Sequence, residues 1–219
     1  MSSKSVPPIL PGIVHVVDDD AAFRTAISRV LTAAGHRPRL YASAPEYLAS
    51  NDADGPACLV LDLRMPGLTG LDLQAALSQR DDAHPVIFLS GHGDIPSTVR
   101  AMREGAVDFL TKPVPTTTLL EVIHRALESD LERTRRHAEI ADVRSRYASL
   151  TPRERQVMAG VVAGRLNKQI CYALHAAERT VKTHRARVME KMRVRSVAEL
   201  VRLAEQLVKA GVMLEPVGY

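Results

Sequence analysis

Tryptophan is absent from this chain of 219 residues, and aromatic residues make up only 4% of it. An aromatic-lined carbohydrate cleft or a base-stacking platform for single strands is therefore disfavoured. Only two cysteines occur, Cys58 and Cys171, without metal-ligand spacing or the density of a disulfide scaffold, as in proteins of a reducing compartment. No apolar stretch is long enough for a membrane span, and the polar, proline-broken start from Met1 to Gly12 lacks the core of a signal peptide. These absences set the expectation of a soluble, cytoplasmic protein with no membrane partner. What is present, 46% hydrophobic and 25% charged residues with 12 Gly and 13 Pro, is the composition of ordinary globular domains. The length suits two small domains better than one large one.

The net charge of +4 conceals an asymmetry. Residues 1–127 carry 11 Lys/Arg against 14 Asp/Glu, residues 128–148 five of each, and residues 149–219 carry 13 against six. A mildly acidic unit joined to a short basic one suggests a polyanion binder under the control of something else.

Hydrophobic patterning divides the chain the same way. Ile13–Val17, Leu59–Leu61, Val86–Leu89 and Val107–Leu110 are short apolar runs without alternation, as in strands buried on both faces of a parallel sheet. A weaker run, Pro38–Tyr41, supplies the second strand. Helical patterns lie between and after them, at Ala21–Ala34, Ala44–Ser50, Gly70–Gln79, Pro96–Glu104 and from Thr116 onward. Five strands alternating with five helices predict a five-stranded doubly wound parallel α/β domain over residues 13–127, behind a flexible start at 1–12. Thr116–Ala148 reads as one long helix. Its apolar face is Leu119, Leu120, Ile123, Leu127 and Leu131, and the pairs Glu121/Arg125, Glu132/Arg136 and Asp142/Arg146 support its solvated part, a linker over 128–148. Pro152–Ala163, Asn167–Leu174, Glu178–Met192 and Val197–Lys209 then predict a small all-α, four-helix, helix-turn-helix domain over 149–210, with a tail at 211–219.

In open parallel sheets, ligands bind beyond the carboxyl ends of the strands, near the switch in strand order. Asp18, Asp19 and Asp20 follow the first apolar run, Asp62 the third, Ser90 the fourth, and Lys112 with Pro113 the fifth. Gathered carboxylates repel each other unless a cation neutralises them, and Mg²⁺ suits such a cleft because it takes a few carboxylates, keeps waters and accepts phosphate oxygens. Asp62 is then the candidate nucleophile for a phosphoryl group, Lys112 the partner of its charge, and Ser90 a hydrogen-bond donor to its oxygens. Asp20 is read as the cap of the following helix rather than as a ligand. A phosphohydrolase would want an acid two residues beyond the nucleophile, where Arg64 stands, and a dinucleotide site would want glycines at the first strand-to-helix turn, which is acidic. Ser90-Gly91 allows simple turn chemistry as well, and Gly91-His92-Gly93 alone is a weak signal for a nucleotide-binding loop.

Residues 13–127 resemble the receiver domain of two-component response regulators, through Leu61-Asp62-Leu63-Arg64-Met65-Pro66-Gly67 with Gly70-Leu71. The resemblance implies that Asp18 and Asp19 are the acidic pair that holds Mg²⁺ with Asp62 and the backbone carbonyl of Arg64. It makes Asp62 the phospho-acceptor from a sensor histidine kinase, Lys112 the lysine before a cis proline, and Ser90 and Phe109 the switch pair. Phe109 read by itself is a buried sheet phenylalanine.

The basic unit has its own pattern. Thr151, Pro152 and Glu154 form a capping arrangement, Gly164 ends the helix that follows, and Glu178–Met192 puts Val181, Val188 and Met192 on one side with Arg179, Lys182, Thr183, Ala186 and Arg187 on the other. Such a helix enters a major groove of double-stranded DNA. Leu150-Thr151-x-Arg153-Glu154, Asn167-Lys168-x-Ile170, Thr180-Val181-Lys182-x-His184 and Lys191-Met192 resemble the LuxR-type helix-turn-helix of the FixJ/NarL class. Ala176-Ala177 departs from it, since a serine cap usually precedes the recognition helix, and its loss costs about 0.5 to 2 kcal/mol unless Glu178 compensates. Cys171, where a small residue is expected, is read as a buried apolar filler. His184 faces either the core or the DNA, and Lys168 either holds a phosphate or is solvated. Together the resemblances imply a phosphorylation-activated transcription regulator without enzymatic turnover, dimeric when phosphorylated. Its candidate pairing surfaces are the Pro96–Glu104 helix with the fifth strand, and the last helix through Leu200, Val201 and Ala204. The alternative is a phosphorelay or pseudo-receiver protein whose helical domain binds protein.

Overall fold

Five short strands lie side by side: β1 (Ile13–Val17), β2 (Arg37–Tyr41), β3 (Ala57–Leu61), β4 (Val86–Ser90) and β5 (Asp108–Thr111). All pairings are parallel, in the order β2-β1-β3-β4-β5. The computed structural model describes residues 10–50, 55–79, 83–91 and 95–215. Most of the expected flexible start, His92-Gly93, and residues 216–219 of the tail lie outside these. The chain divides into two compact units, 1–134 and 135–219.

In the first unit, β1, β3 and β4 are buried throughout, as uninterrupted apolar runs require. The two outer strands differ from expectation. β2 begins at Arg37 and is exposed or half-buried up to Tyr41, because it is an edge: Pro38 needs no ladder donor there, and Arg37 and Arg39 discourage further pairing. β5, the other edge, is shifted by one residue and only partly buried. Helices α1 (Ala21–Ala33), α2 (Ala44–Leu48), α3 (Gly70–Leu77), α4 (Ile95–Arg103) and α5 (Thr116–Ala148) alternate with the strands, so each face of the sheet has its own core. One core joins Val14, Val16, Cys58 and Val60 to Ile27 and Leu31 of α1 and to Leu119, Ile123 and Leu127 of α5. The other joins Val17, Leu59, Leu61 and Phe88 to Leu73 and Leu77 of α3.

The buried stripe of α5 ends differently from the expected Leu131, which is 44% exposed, whereas Asp130 is 1% exposed. Asp130 is tolerated there because it is fully engaged. Its oxygens accept from the Ala57 backbone N–H at 2.9 Å and the Arg133 guanidinium at 2.6 Å, with His84 Nδ1 3.6 Å away. Burial acts to raise its pKa, but these donors outweigh it and hold the carboxyl below its ordinary 3.8. A depressed folded pKa means that its stabilising contribution is complete above about pH 3.8 and is lost as pH falls through the folded value. Asp130→Ala leaves the start of β3 with an unpaired buried N–H, so urea unfolding at neutral pH should show a loss of about 3 kcal/mol. A loss below about 0.5 kcal/mol would mean that this tie between α5 and β3 carries little weight. Elsewhere on α5, Arg125 turns to Asp108 of β5 at 2.8 Å rather than to Glu121, while Asp142 and Arg146 pair as expected.

In the second unit, α6 (Pro152–Val162), α7 (Asn167–Leu174), α8 (Glu178–Lys191) and α9 (Val197–Lys209) surround a core that includes Val157, Met158, Ile170, Val181, Val188 and Met192. The capping box of Thr151 and Glu154 starts α6, and Gly164 follows it at φ 73°, a left-handed conformation suited to glycine. Val143 and Tyr147, within the stretch read as linker, belong to this core, and Val212 and Leu214 of the tail pack against it. α8 starts at Ala177 with no side-chain cap, and Glu178 pairs with Lys182 at 3.0 Å.

Candidate functional site

Sheet order reverses between β1 and β3, and there the strand ends deliver their carboxylates. Asp18 and Asp62 are 2% and 8% exposed. Lys112, just past β5, reaches both: its Nζ lies 2.6 Å from Asp18 Oδ2 and 3.1 Å from Asp62 Oδ1. The remaining oxygens are also held, Asp18 Oδ1 by the Asp20 N–H and Asp62 Oδ2 by the Arg64 N–H, each at 2.9 Å. Asp20 turns away to cap α1, accepting from Ala22 and Phe23. Asp19 stands exposed at the rim. Ser90 is buried at the end of β4, its carbonyl accepting from the Lys112 N–H at 2.9 Å, and the Lys112–Pro113 peptide is cis.

Burial pushes the Asp62 carboxyl above its ordinary pKa, and the charge of Asp18 adds to this, although Lys112 pulls the other way. Burial acts to lower the Lys112 pKa, but its bonds to Asp18 and Asp62 outweigh that and raise it. The ammonium is therefore firmly charged beside a carboxylate that has little water of its own.

The close fit around Asp62 also explains a glycine. A Cβ on Gly70 would lie 2.3 Å from the Asp62 carbonyl oxygen, so the start of α3 can approach the loop only without a side chain. Phe109 is half-buried and stacks on Phe88, ring centroids 5.9 Å apart. Two residues with no warning in the sequence complete the site. The Phe23 ring lies beneath the Lys112 ammonium, and the Arg24 guanidinium donates to the Asp18 carbonyl.

Among the described residues no three His, Cys, Asp or Glu side chains close around a point that could hold a metal. The donors present are nonetheless hard oxygens, and Mg²⁺ takes one or two carboxylates while keeping several waters, so the set suits it without a closed cage.

On the second unit, Arg179, Lys182, Thr183, Ala186 and Arg187 are exposed along α8 and line a shallow, open groove, while Val181 and Val188 are buried beneath. Two of these residues are already engaged: Lys182 with Glu178, and Thr183, whose hydroxyl donates to the Arg179 carbonyl at 3.0 Å. Thr183 therefore offers an acceptor rather than a free donor. Lys168 is exposed in the first turn of α7, and Arg185, unnoticed in the sequence, ties α8 to that turn through Asn167 Oδ1 at 3.0 Å. His184 is half-buried, with its Nδ1 buried and unpartnered. Cys171 is only half-buried, packed against the core rather than within it as expected. The expected pairing face on α9 needs correction: Leu200 and Ala204 are buried in their own domain's core, leaving Val201 half-exposed and Val208 56% exposed.

Comparison with known proteins agrees with this division. Residues 14–124 match the response regulator receiver domain, and residues 148–204 match the luxR family of bacterial regulatory proteins. Nodulation protein W of Bradyrhizobium diazoefficiens is 45% identical over 195 residues, covering 89% of this chain and 86% of that protein. The transcriptional regulatory protein FixJ of Rhizobium meliloti is 41% identical over 191 residues, 87% and 94% of the two chains. The solved structure of the response regulator StyR, 41% identical, superposes with a TM-score of 0.81 over 90% of this chain and 100% of that one.

Proposed function

This chain belongs to the response regulators that join a receiver domain to a LuxR-type DNA-binding domain, and on that premise we propose that Asp62 takes the phosphoryl group. As a member of that family it is a phosphorylation-dependent transcription regulator. The observation that carries the assignment to Asp62 is Lys112 bridging it to Asp18 at the switch point of the sheet.

In transfer from the phosphohistidine of a sensor kinase, an Asp62 oxygen forms the new P–O bond as the P–N bond breaks and the imidazole nitrogen keeps the electron pair. Lys112 then turns from the phosphorylated carboxylate, now an acyl phosphate, to a phosphoryl oxygen, and Ser90 is the hydroxyl that meets another. Asp19 with Asp18, Asp62 and the Arg64 carbonyl would hold Mg²⁺. When bound, Mg²⁺ draws charge from the attacking and transferring oxygens. The protein catalyses only this modification of itself.

The reading is tested by incubating the full chain with Mg²⁺ and acetyl phosphate. Intact mass should rise by one phosphoryl group, labile to hydroxylamine and mapping to Asp62. An unchanged mass, or a stable adduct elsewhere, would contradict it.

Ile95, at 81% exposure, with Val99 and Met102 forms an exposed apolar surface on α4 beside β5. We assign to it the contact of a homodimer formed on phosphorylation, as Ser90 moves inward and Phe109 follows. Sedimentation should show a larger dimer fraction for the modified chain, and identical profiles over a wide concentration range would contradict this. DNA is bound through α8, with Lys168 and Arg187 on phosphates, in the cytoplasm. Among the described residues no helix is long and apolar enough to cross a membrane.

A further inference from the structure

Phe23 sits in the first turn of α1, half-buried, with the Lys112 ammonium 3.9 Å from its ring centroid. The same ammonium is bonded to Asp18 at 2.6 Å and Asp62 at 3.1 Å. It therefore has two anionic partners and one aromatic face. We propose that Phe23 is a positioning residue for phosphoryl transfer, holding Lys112 in place while it exchanges one partner for another. The proposal rests on Asp62 being the acceptor.

The exchange follows from charge. With acetyl phosphate, the Asp62 O–P bond forms while the P–O bond to the acetyl group breaks, and acetate leaves with the electron pair; no proton moves. The Asp62 carboxylate becomes an acyl phosphate, a mixed anhydride, and its negative charge is replaced by charge on phosphoryl oxygens one bond further out. Lys112 must release Asp62 Oδ1 and follow that charge. Asp18 alone would be a single anchor for an ammonium on a flexible four-carbon stem. The ring adds a second anchor that attracts the cation through its quadrupole, does not compete for it as an anion would, and excludes water from that side.

The ring is itself held in place. Asp20 accepts from the Phe23 N–H at 3.2 Å, and the neighbouring Arg24 side chain donates to the Asp18 carbonyl, so the first turn of α1 is tied to the acidic segment from both sides.

The test replaces Phe23 in the full chain by phenylalanines carrying one, two and three ring fluorines, which drain the π face at nearly constant size. Uptake from acetyl phosphate at saturating Mg²⁺ should slow in step with fluorination, by about three- to tenfold at the trifluoro end. The melting temperature should stay constant along the series. Phe23→Leu should fall with the trifluoro variant, and Phe23→Tyr should restore most of the rate. Without Mg²⁺, the Lys112 ε-protons should carry an upfield ring-current shift that Phe23→Leu removes. Normal uptake that is flat across the series overturns the role of Phe23 alone. A wild-type chain that takes up no phosphoryl group overturns the acceptor assignment and this inference together.

Discussion

Asp62→Asn should lose phosphoryl uptake from acetyl phosphate by at least about a thousandfold, since the amide offers no anionic oxygen to attack phosphorus. The same variant should melt above the wild type at neutral pH. Burial raises the Asp62 pKa in the folded chain, against the pull of Lys112 and with the charge of Asp18. A raised carboxyl pKa means that the folded state holds the proton more tightly than the unfolded state. The wild type therefore loses stability as pH rises from the unfolded value of about 3.8 through the folded one. Asparagine carries no charge at any pH, so its advantage is present at pH 7 and disappears below about pH 3.8. Removing Asp62 still leaves Lys112 paired with Asp18 at 2.6 Å, so no cation is stranded. A variant that labels as well as the wild type would move the acceptor elsewhere, and one that melts lower at pH 7 would mean that the pairing of Asp62 with Lys112 outweighs the cost of burying its charge.

Lys182 is central on the exposed face of α8 and near its N-terminus, where recognition helices meet base edges, and Arg187 lies more than a turn later. Lys182→Ala should cost about 1 to 3 kcal/mol on a matched operator and relax preference at one position of the half-site. Arg187→Ala should weaken matched and scrambled sequences alike and lower the salt slope by about one. Lys182 must first leave Glu178, its partner at 3.0 Å in the free protein, so part of its binding energy goes into that exchange. Titrating both variants on both sequences at two salt concentrations checks the assignment. Equal loss on the two sequences for Lys182→Ala would place that lysine on the phosphates.

Much of this was legible because strand ends and helix caps are local. The third to fifth apolar runs point straight to Asp62, Ser90 and Lys112, and the bounds of α5, α7 and α9 coincide with their periodic patterns. What escaped depends on distant partners. Phe23 and Arg24 look like ordinary first-turn residues until β5 brings Lys112 over α1. Asp130 breaks the apolar stripe of α5 at a position that only the Ala57 N–H and Arg133 make habitable. The apolar stripe of α9 reads the same whether it meets its own core or a second copy, and Leu200 and Ala204 meet the core. Edge positions are likewise invisible in a single strand, which is why β2 and β5 are more exposed than their composition suggests.

A phosphoryl group on Asp62 should control the grip of α8 on DNA. Promoter duplex should be titrated with the wild type and with Asp62→Asn, each before and after treatment with Mg²⁺ and acetyl phosphate. Binding by the treated wild type should be tighter and salt-sensitive, with no change for Asp62→Asn. Equal affinity of the phosphorylated and unphosphorylated wild type would contradict it.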